Sequence, residues 1–112
     1  MKKRVVITGI GVVSSCGIGK NMFWENIIRG KTGISKIKNF DTSYYPIKIG
    51  AEVKDFRPDE YIDEKTISRT ARFTHFGLTA AIKALSDSKI DNCDKEKMGV
   101  CIGTTVGGLD YA

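Results

Sequence analysis

With 112 residues, 41% of them hydrophobic and 28% charged, the chain has the composition of one globular domain or part of one. No stretch approaches the roughly 20 consecutive apolar residues of a membrane-spanning helix. The apolar residues after the basic start are interrupted at Thr8 and Gly9, so no signal peptide is predicted. The net charge of +5 fits a soluble surface and is also compatible with an acidic partner. Basic and aromatic residues do not alternate as they do in proteins that bind single-stranded nucleic acid.

The first predicted element is a short apolar strand. Residues 4–8 are β-branched and apolar and are bounded by glycine, which predicts a buried strand. Asn21 is a candidate cap for a following helix, and Gly30 is placed to end it. Four apolar residues share one face of this helix, and we expect the first two of them to pack in a core: Phe23, Trp24, Ile27 and Ile28.

The middle of the chain has weaker patterns. Residues 31–46 are predicted to be irregular, whereas residues 47–53 alternate between apolar and polar, as in a half-buried strand or hairpin arm. Pro58 is followed by the acidic residues Asp59 and Glu60, which suit a short first helical turn.

A long helix is predicted over residues 66–88, with small residues that would allow close approach to a sheet. Residues 98–104, MGVCIGT, predict a second buried strand. The order of strand, helix, irregular insertion, helix and strand indicates an α/β layer with a parallel sheet. A strand this apolar belongs in the middle of a sheet that is covered on both faces, and little sequence follows it that could cover it. We therefore expect the first part of a larger protein, or a partner that completes the fold.

Two glycines after the first strand raise the possibility of a dinucleotide-binding turn. That turn needs G-x-G-x-x-G at the start of a helix, with an acidic residue about 20 positions further on. Gly9 and Gly11 fit, but Ser14 stands at the third position and Asp41 follows no second strand. The sequence contains G-K-T at residues 30–32, but Glu25 stands where the P-loop pattern G-x-x-x-x-G-K-[ST] needs its first glycine, so a phosphate-binding P-loop is excluded. The residues instead predict a turn in which Gly9, Gly11 and Gly17 allow other backbone to lie close by.

Three cysteines and one histidine are candidates for nucleophilic or metal chemistry. Cys16 and Cys93 fall in predicted loops and Cys101 falls in the second predicted strand, with spacings that match no zinc site. We expect reduced thiols in a cytoplasmic protein. His75 lies beside the apolar face of the long helix, where a structural role is expected. No cofactor-binding or metal-binding residue is predicted.

Taken in order, the residues resemble the opening of the β-ketoacyl-[acyl-carrier-protein] synthases of the elongating, type II kind. The resemblance covers essentially the whole chain without long gaps. One departure is Ser15, where the family usually has proline, and it points to a divergent branch such as a polyketide-pathway synthase or a decarboxylating relative. The matching residues are 3–11, Ser14, Gly17, Trp24, 30–34, 40–42, 53–56, 72–73, 80–81, 84–85, 102–103 and 106–109.

The resemblance implies the thiolase fold, in which two similar α/β halves pack as layered helices and sheets, usually in a homodimer. Residues 1–112 would be the beginning of the first half. It also implies a decarboxylating Claisen condensation that uses acyl and malonyl thioesters on an acyl carrier protein. The family's nucleophilic cysteine lies in a T-A-C-[SA] context and its two histidines lie later still. The resemblance therefore implies no catalytic residue and no cofactor in this chain, which we expect to be inactive alone.

Two features of the chain are expected to contribute to function. Lys65 and Arg69 fall where the family docks its acidic carrier protein, and Arg72 extends the set, since the three would share a helical face at i, i+4 and i+7. On sequence alone, a solvated helix face explains them equally well. Val106 falls where the family has an aliphatic residue at the far end of the acyl pocket, near the dimer partner. It is smaller than the isoleucine often found there, which predicts a roomier pocket.

Two other functions stay open beside the condensing enzyme. One is a malonyl-carrier decarboxylase or a chain-length partner of the same fold, which would differ at the downstream nucleophile position. The other is a small stand-alone module that binds an acidic protein through the basic helix, and it requires the chain to fold alone. Neither the acyl group nor the choice between fatty acid and polyketide synthesis follows from the sequence.

Overall fold

A computed structural model describes residues 1–109. The chain divides into two units, Val12–Arg57 and Met1–Gly11 together with the segment from Pro58 onward. The first unit contains two small hairpins and a helix, and the second contains two further helices. Among residues 1–109, no helix combines the length and the apolarity that crossing a membrane requires.

The unit Val12–Arg57 begins with a tight hairpin. Strand β1 (Val13–Ser14) pairs antiparallel with β2 (Gly17–Ile18). The Ser14 hydroxyl donates to the Gly17 carbonyl at 3.0 Å and accepts from the Cys16 amide at 3.2 Å. A serine side chain that bonds its own turn in this way stabilises a reversal of the chain.

Helix α1 (Lys20–Ile28) follows directly from this hairpin. Its N-cap is Gly19, at φ 89° and ψ 148°, without a side-chain hydrogen bond, so the prediction that Asn21 caps the helix is wrong. Only glycine adopts such a backbone readily. The predicted core packing is also wrong for Trp24, which is 62% exposed, whereas Phe23 is half-buried.

The end of α1 agrees with the prediction that Gly30 stops the helix. Gly30 adopts φ 65°, and its amide donates to the Ile27 carbonyl at 3.0 Å. The Lys31 amide donates to the Asn26 carbonyl at 2.9 Å. These two bonds form a Schellman motif, which favours glycine at the left-handed position.

The second hairpin pairs β3 (Ile34–Lys36) with β4 (Ile49–Ala51), and Ser35 lies opposite Gly50. The strand predicted within residues 47–53 is confirmed, but its partner lies in a region predicted to be irregular. Glu52 extends the pairing, because its carboxylate accepts from the amides of Lys38 and Asn39. These backbone bonds lower the pKa of Glu52.

The other unit contains a 3₁₀ turn at Pro58–Glu60, which confirms the short helical turn predicted there, and two helices follow it. Helix α2 (Glu64–Arg69) and helix α3 (Arg72–Ser88) replace the single helix predicted over residues 66–88. Thr70 and Ala71 separate them in an extended conformation, with ψ of 153° and 161°. The prediction of one helix is therefore wrong, although its end at Ser88 is right.

Glycine residues bring the N-terminal segment close to α3, as the sequence predicted. A Cβ atom at Gly11 would lie 2.8 Å from the Ala84 nitrogen, and one at Gly9 would lie 2.7 Å from the Ser88 nitrogen. The Ile10 amide donates to the Asp87 carboxylate at 3.0 Å. The small residues of α3 thus allow contact between two backbones, and a larger side chain has no space there.

The two predicted apolar strands do not form among the described residues. Residues 4–8 and 98–104 lack strand pairing, and their side chains are exposed, Val5 to 94% and Val100 to 88%. Both pairings within residues 1–109 are antiparallel, so the predicted parallel sheet is absent from this part of the chain. The physical reason is that a strand needs a neighbouring strand to satisfy its amide and carbonyl groups, whatever its side chains.

Candidate functional site

The predicted basic set lies on both sides of the break between α2 and α3. Lys65 and Arg69 are one turn apart on α2, and both are exposed. Residues four apart on a helix share a face, so this pair presents two cations together. Arg72 instead begins α3, and its guanidinium lies 5.0 Å from the ring centroid of Phe76. The single face of three residues was a wrong prediction, because Thr70 and Ala71 interrupt the helical register.

Side-chain hydrogen bonds stabilise the extended residues between α2 and α3. The Thr70 hydroxyl donates to the Thr66 carbonyl at 2.7 Å, and Thr70 Oγ1 lies 3.1 Å from His75 Nε2. His75 is 8% exposed. The structural role expected for His75 agrees with this burial and this hydrogen bond.

Asp63 caps the start of α2, a feature that the sequence reading missed. Its carboxylate accepts from the Thr66 amide at 2.9 Å and from the Thr66 hydroxyl at 2.7 Å. The signal was available, because aspartate is a preferred N-cap residue and Glu64 places an acidic residue in the first turn. The Thr66 hydroxyl and amide lower the pKa of Asp63, since both hydrogen bonds favour the ionised carboxylate.

This cap predicts a specific dependence of stability on pH. The folded pKa of Asp63 lies below its ordinary value of 3.8, so its contribution is complete above that value and is lost as the pH falls through the folded pKa. Asp63→Asn keeps a capping oxygen but cannot titrate. We expect the difference in unfolding free energy between the native protein and this variant to shrink on acidification from about pH 5. Urea titrations of both proteins across that range would measure it, and a constant difference would contradict the prediction.

Val106 lies in a turn close to α3, and its side chain is 60% exposed. The neighbouring Gly107 lies against the Phe73 ring, where a Cβ atom would be 2.6 Å from Cδ2. The segment that carries Val106 is therefore held near α3 by contact between a glycine and an aromatic ring.

The thiols of Cys16, Cys93 and Cys101 are free. Cys16 lines a cavity of about 350 Å³ in the unit Val12–Arg57, and its carbonyl accepts from the Asn26 side chain at 2.7 Å. The only histidine of the sequence bonds to Thr70, so no thiol has the imidazole partner that would activate it. Within the described residues, no group of three or more histidine, cysteine, aspartate or glutamate side chains could hold a metal ion.

Comparisons with known proteins agree on one family. The family model described as "Beta-ketoacyl synthase, N-terminal domain" matches residues 2–112. The chain is 39% identical over 110 residues to 3-oxoacyl-[acyl-carrier-protein] synthase 2 of Synechocystis, with 96% of this chain and 26% of that protein covered. It is 40% identical over 112 residues to the protein of the same name from Coxiella burnetii, with 98% of this chain and 27% of that protein covered. The chain thus spans about a quarter of the length of these curated relatives.

A solved structure supports the same assignment. The chain is similar to the structure titled "The ishigamide ketosynthase/chain length factor", with a TM-score of 0.71 and 29% sequence identity. The similarity covers 84% of this chain and 23% of that one, and it supports the predicted thiolase-like fold. The chain belongs to the β-ketoacyl synthase family, since residues 2–112 match the model of that family's N-terminal domain.

Proposed function

We propose that the chain is the amino-terminal part of a β-ketoacyl-[acyl-carrier-protein] synthase. The observation that carries this proposal is the similarity, over 96% of the chain or more, to proteins named 3-oxoacyl-[acyl-carrier-protein] synthase 2. The complete enzyme would be a cytoplasmic homodimer of two layered halves and would need no cofactor.

The proposed reaction is a decarboxylative Claisen condensation. A cysteine thiolate attacks the thioester of one acyl-loaded carrier protein, and the carrier's sulfur leaves as a thiolate that takes up a proton. The bond between the malonyl methylene and its free carboxylate then breaks and releases CO2, and its electron pair attacks the acyl carbonyl. A carbon–carbon bond forms, the bond to the enzyme's sulfur breaks, and the cysteine thiolate is regenerated. Residues 1–112 would contribute to binding and to pocket shape, and no residue of this chain is assigned to the chemical steps.

The intact mass of the complete protein, before and after incubation with acyl-loaded carrier protein, tests the proposal. We expect a gain of one acyl mass on one cysteine, with Cys16, Cys93 and Cys101 unmodified in the peptide map. Release of CO2 from malonyl-carrier protein without acyl uptake would instead indicate a decarboxylase. Absence of both reactions would overturn the proposed function.

The docking surface proposed for the carrier protein is the pair Lys65 and Arg69, with Arg72 as an extension. The two α2 residues are exposed and share a face, and the chain has a net charge of +5. A compact positive surface attracts an acidic protein and steers its approach, with an effect that falls as salt increases.

Val106 is proposed to line the far end of the acyl pocket in the complete enzyme. Val106→Ile adds one methylene, worth about 1 kcal/mol in a closed apolar site. We therefore expect a several-fold shift of kcat/KM towards shorter acyl chains, measured with a series of acyl-carrier proteins of increasing length. Val106→Thr, of similar volume, is the matched control and should keep the length preference. An unchanged preference for acyl-chain length in Val106→Ile would show that Val106 does not line the pocket.

A chain-length partner of the same fold is the second candidate, because the similar solved structure is titled a ketosynthase/chain length factor. The residue at the downstream nucleophile position separates the two, since cysteine supports condensation and another residue supports the partner or a decarboxylase. The third alternative, a stand-alone binding module, has less support because residues 4–8 and 98–104 expose apolar side chains.

A further inference from the structure

The junction between α2 and α3 depends on one hydroxyl group. Thr70 is the C-cap of α2, and it directly precedes Ala71, the N-cap of α3. The carbonyls in the last turn of a helix lack intrahelical partners. The Thr70 amide turns to the Ile67 carbonyl at a long 3.5 Å, and the Thr70 hydroxyl donates to the Thr66 carbonyl at 2.7 Å. The Thr70 side chain thus satisfies one of these carbonyls, that of Thr66.

The direction of the next hydrogen bond follows from this one. A hydroxyl has a single hydrogen, and that of Thr70 is committed to the Thr66 carbonyl, which can only accept. Thr70 Oγ1 therefore accepts from His75 Nε2, 3.1 Å away, so the imidazole carries its proton on Nε2. Because His75 is buried, loss of either partner leaves a polar group without compensation.

Helix α2 needs such support because it has only six residues. An isolated helix of this length is not stable in water, so its order depends on its ends and its packing. Asp63 caps its start, and the Thr70–His75 bond anchors its end to α3. Lys65 and Arg69 lie between these two anchors, with exposed side chains that add little to the stability of the helix.

We propose that His75 is a positioning residue for carrier-protein docking, which acts through the Thr70 hydroxyl to hold α2 in the orientation that presents Lys65 and Arg69. This inference rests on the proposed function, since it assumes that α2 contacts the carrier. A binding surface that is ordered only part of the time loses apparent affinity in proportion to the ordered fraction. Loss of the Thr70–His75 bond should thus weaken docking without any change in surface charge.

The test uses the complete enzyme and pairs each disruptive variant with a conservative one. Thr70→Val removes the hydroxyl at constant volume, and Thr70→Ser retains it. His75→Leu removes the donor, and His75→Gln retains an N–H group at similar reach. The dissociation constant for holo acyl carrier protein is measured at low salt, together with KM and kcat for a small acyl-pantetheine thioester that lacks the carrier. Hydrogen exchange reports the order of α2 and α3 separately.

We expect Thr70→Val and His75→Leu to raise the carrier dissociation constant about three- to tenfold, the range for loss of one hydrogen bond. Thr70→Ser and His75→Gln should stay near the native value. The kinetic constants for acyl-pantetheine should not move, and amide exchange should accelerate in α2 but not in α3. The double variant should be no weaker than either disruptive single variant, because both remove the same bond.

The outcomes separate this inference from the function on which it rests. Equal carrier affinity for Thr70→Val and Thr70→Ser overturns the positioning role, even if His75→Leu fails to fold. A parallel loss for acyl-pantetheine also overturns it, because that pattern indicates general destabilisation. If Lys65→Glu with Arg69→Glu weakens docking while the Thr70 and His75 variants do not, the positioning role alone fails. If none of these variants changes carrier affinity, both the positioning role and the proposed docking surface are contradicted.

Discussion

Replacement of Gly11 by alanine is expected to destabilise the complete protein by about 2–3 kcal/mol, at the upper end of the cost of forcing an extra methyl group into a packed site. A Cβ atom at this position would lie 2.8 Å from the nitrogen of Ala84 and equally close to the carbonyl carbon of Ala80. These atoms belong to the backbone of α3, so no side-chain rotation can relieve the contact. The segment must move away from the helix, which also strains the Ile10–Asp87 hydrogen bond.

Gly77→Ala is the matched control, because a Cβ atom there meets nothing within 4 Å and Gly77 lies inside α3. Alanine is the better helix former, so this variant should gain about 0.5–1 kcal/mol. Equilibrium unfolding in urea gives both values from shifts of the midpoint at constant slope. An unfolding free energy for Gly11→Ala within the error of the native value would mean that the close approach of the two backbones does not exist in solution.

The sequence predicted the features that depend on local chemistry. Glycine at a left-handed position ends α1 at Gly30, and the proline and acidic residues from Pro58 form a short turn. The glycines Gly9 and Gly11 indicated close backbone contact, and the structure has it. The small residues of α3 face this segment, although the sheet that they were predicted to approach is not formed there. In each case a residue type permits or forbids a conformation by its own size or backbone freedom.

The features that were missed depend on partners instead. Residues 4–8 and 98–104 have the apolar, β-branched pattern of strands, but pairing is decided by neighbouring backbone, and none pairs with them among residues 1–109. The break at Thr70 was missed because the spacing of apolar residues does not report it. At this point the Thr66 carbonyl accepts from the Thr70 hydroxyl and not from the Thr70 amide, as it would in a continuous helix. Lys65 and Arg69 were assigned to docking by resemblance, and charge and spacing alone left a solvated helix face equally suitable.

Reversal of charge at both Lys65 and Arg69 is expected to raise the dissociation constant for an acidic acyl carrier protein by roughly ten- to a hundredfold at low salt. Each substitution turns an attraction into a repulsion, and an exposed ion pair contributes up to about 1 kcal/mol, so two reversals reach this range. The effect should shrink towards 1 M salt, where the screening length falls to about 3 Å. Binding of labelled holo carrier protein across a salt series measures it directly.

Lys36→Glu with Lys48→Glu is the matched control for this charge reversal. Both lysines are exposed in the unit Val12–Arg57, and the variant changes the net charge of the chain by the same amount. If docking uses α2, the control should keep most of the native affinity, and kcat with acyl-pantetheine should be native in both variants. Equal weakening by the two pairs would mean that the carrier responds to overall charge alone, and unchanged affinity in the Lys65 and Arg69 variant would place the carrier elsewhere on the enzyme. A loss confined to that variant, and removed by salt, would assign the face of α2 as the docking surface.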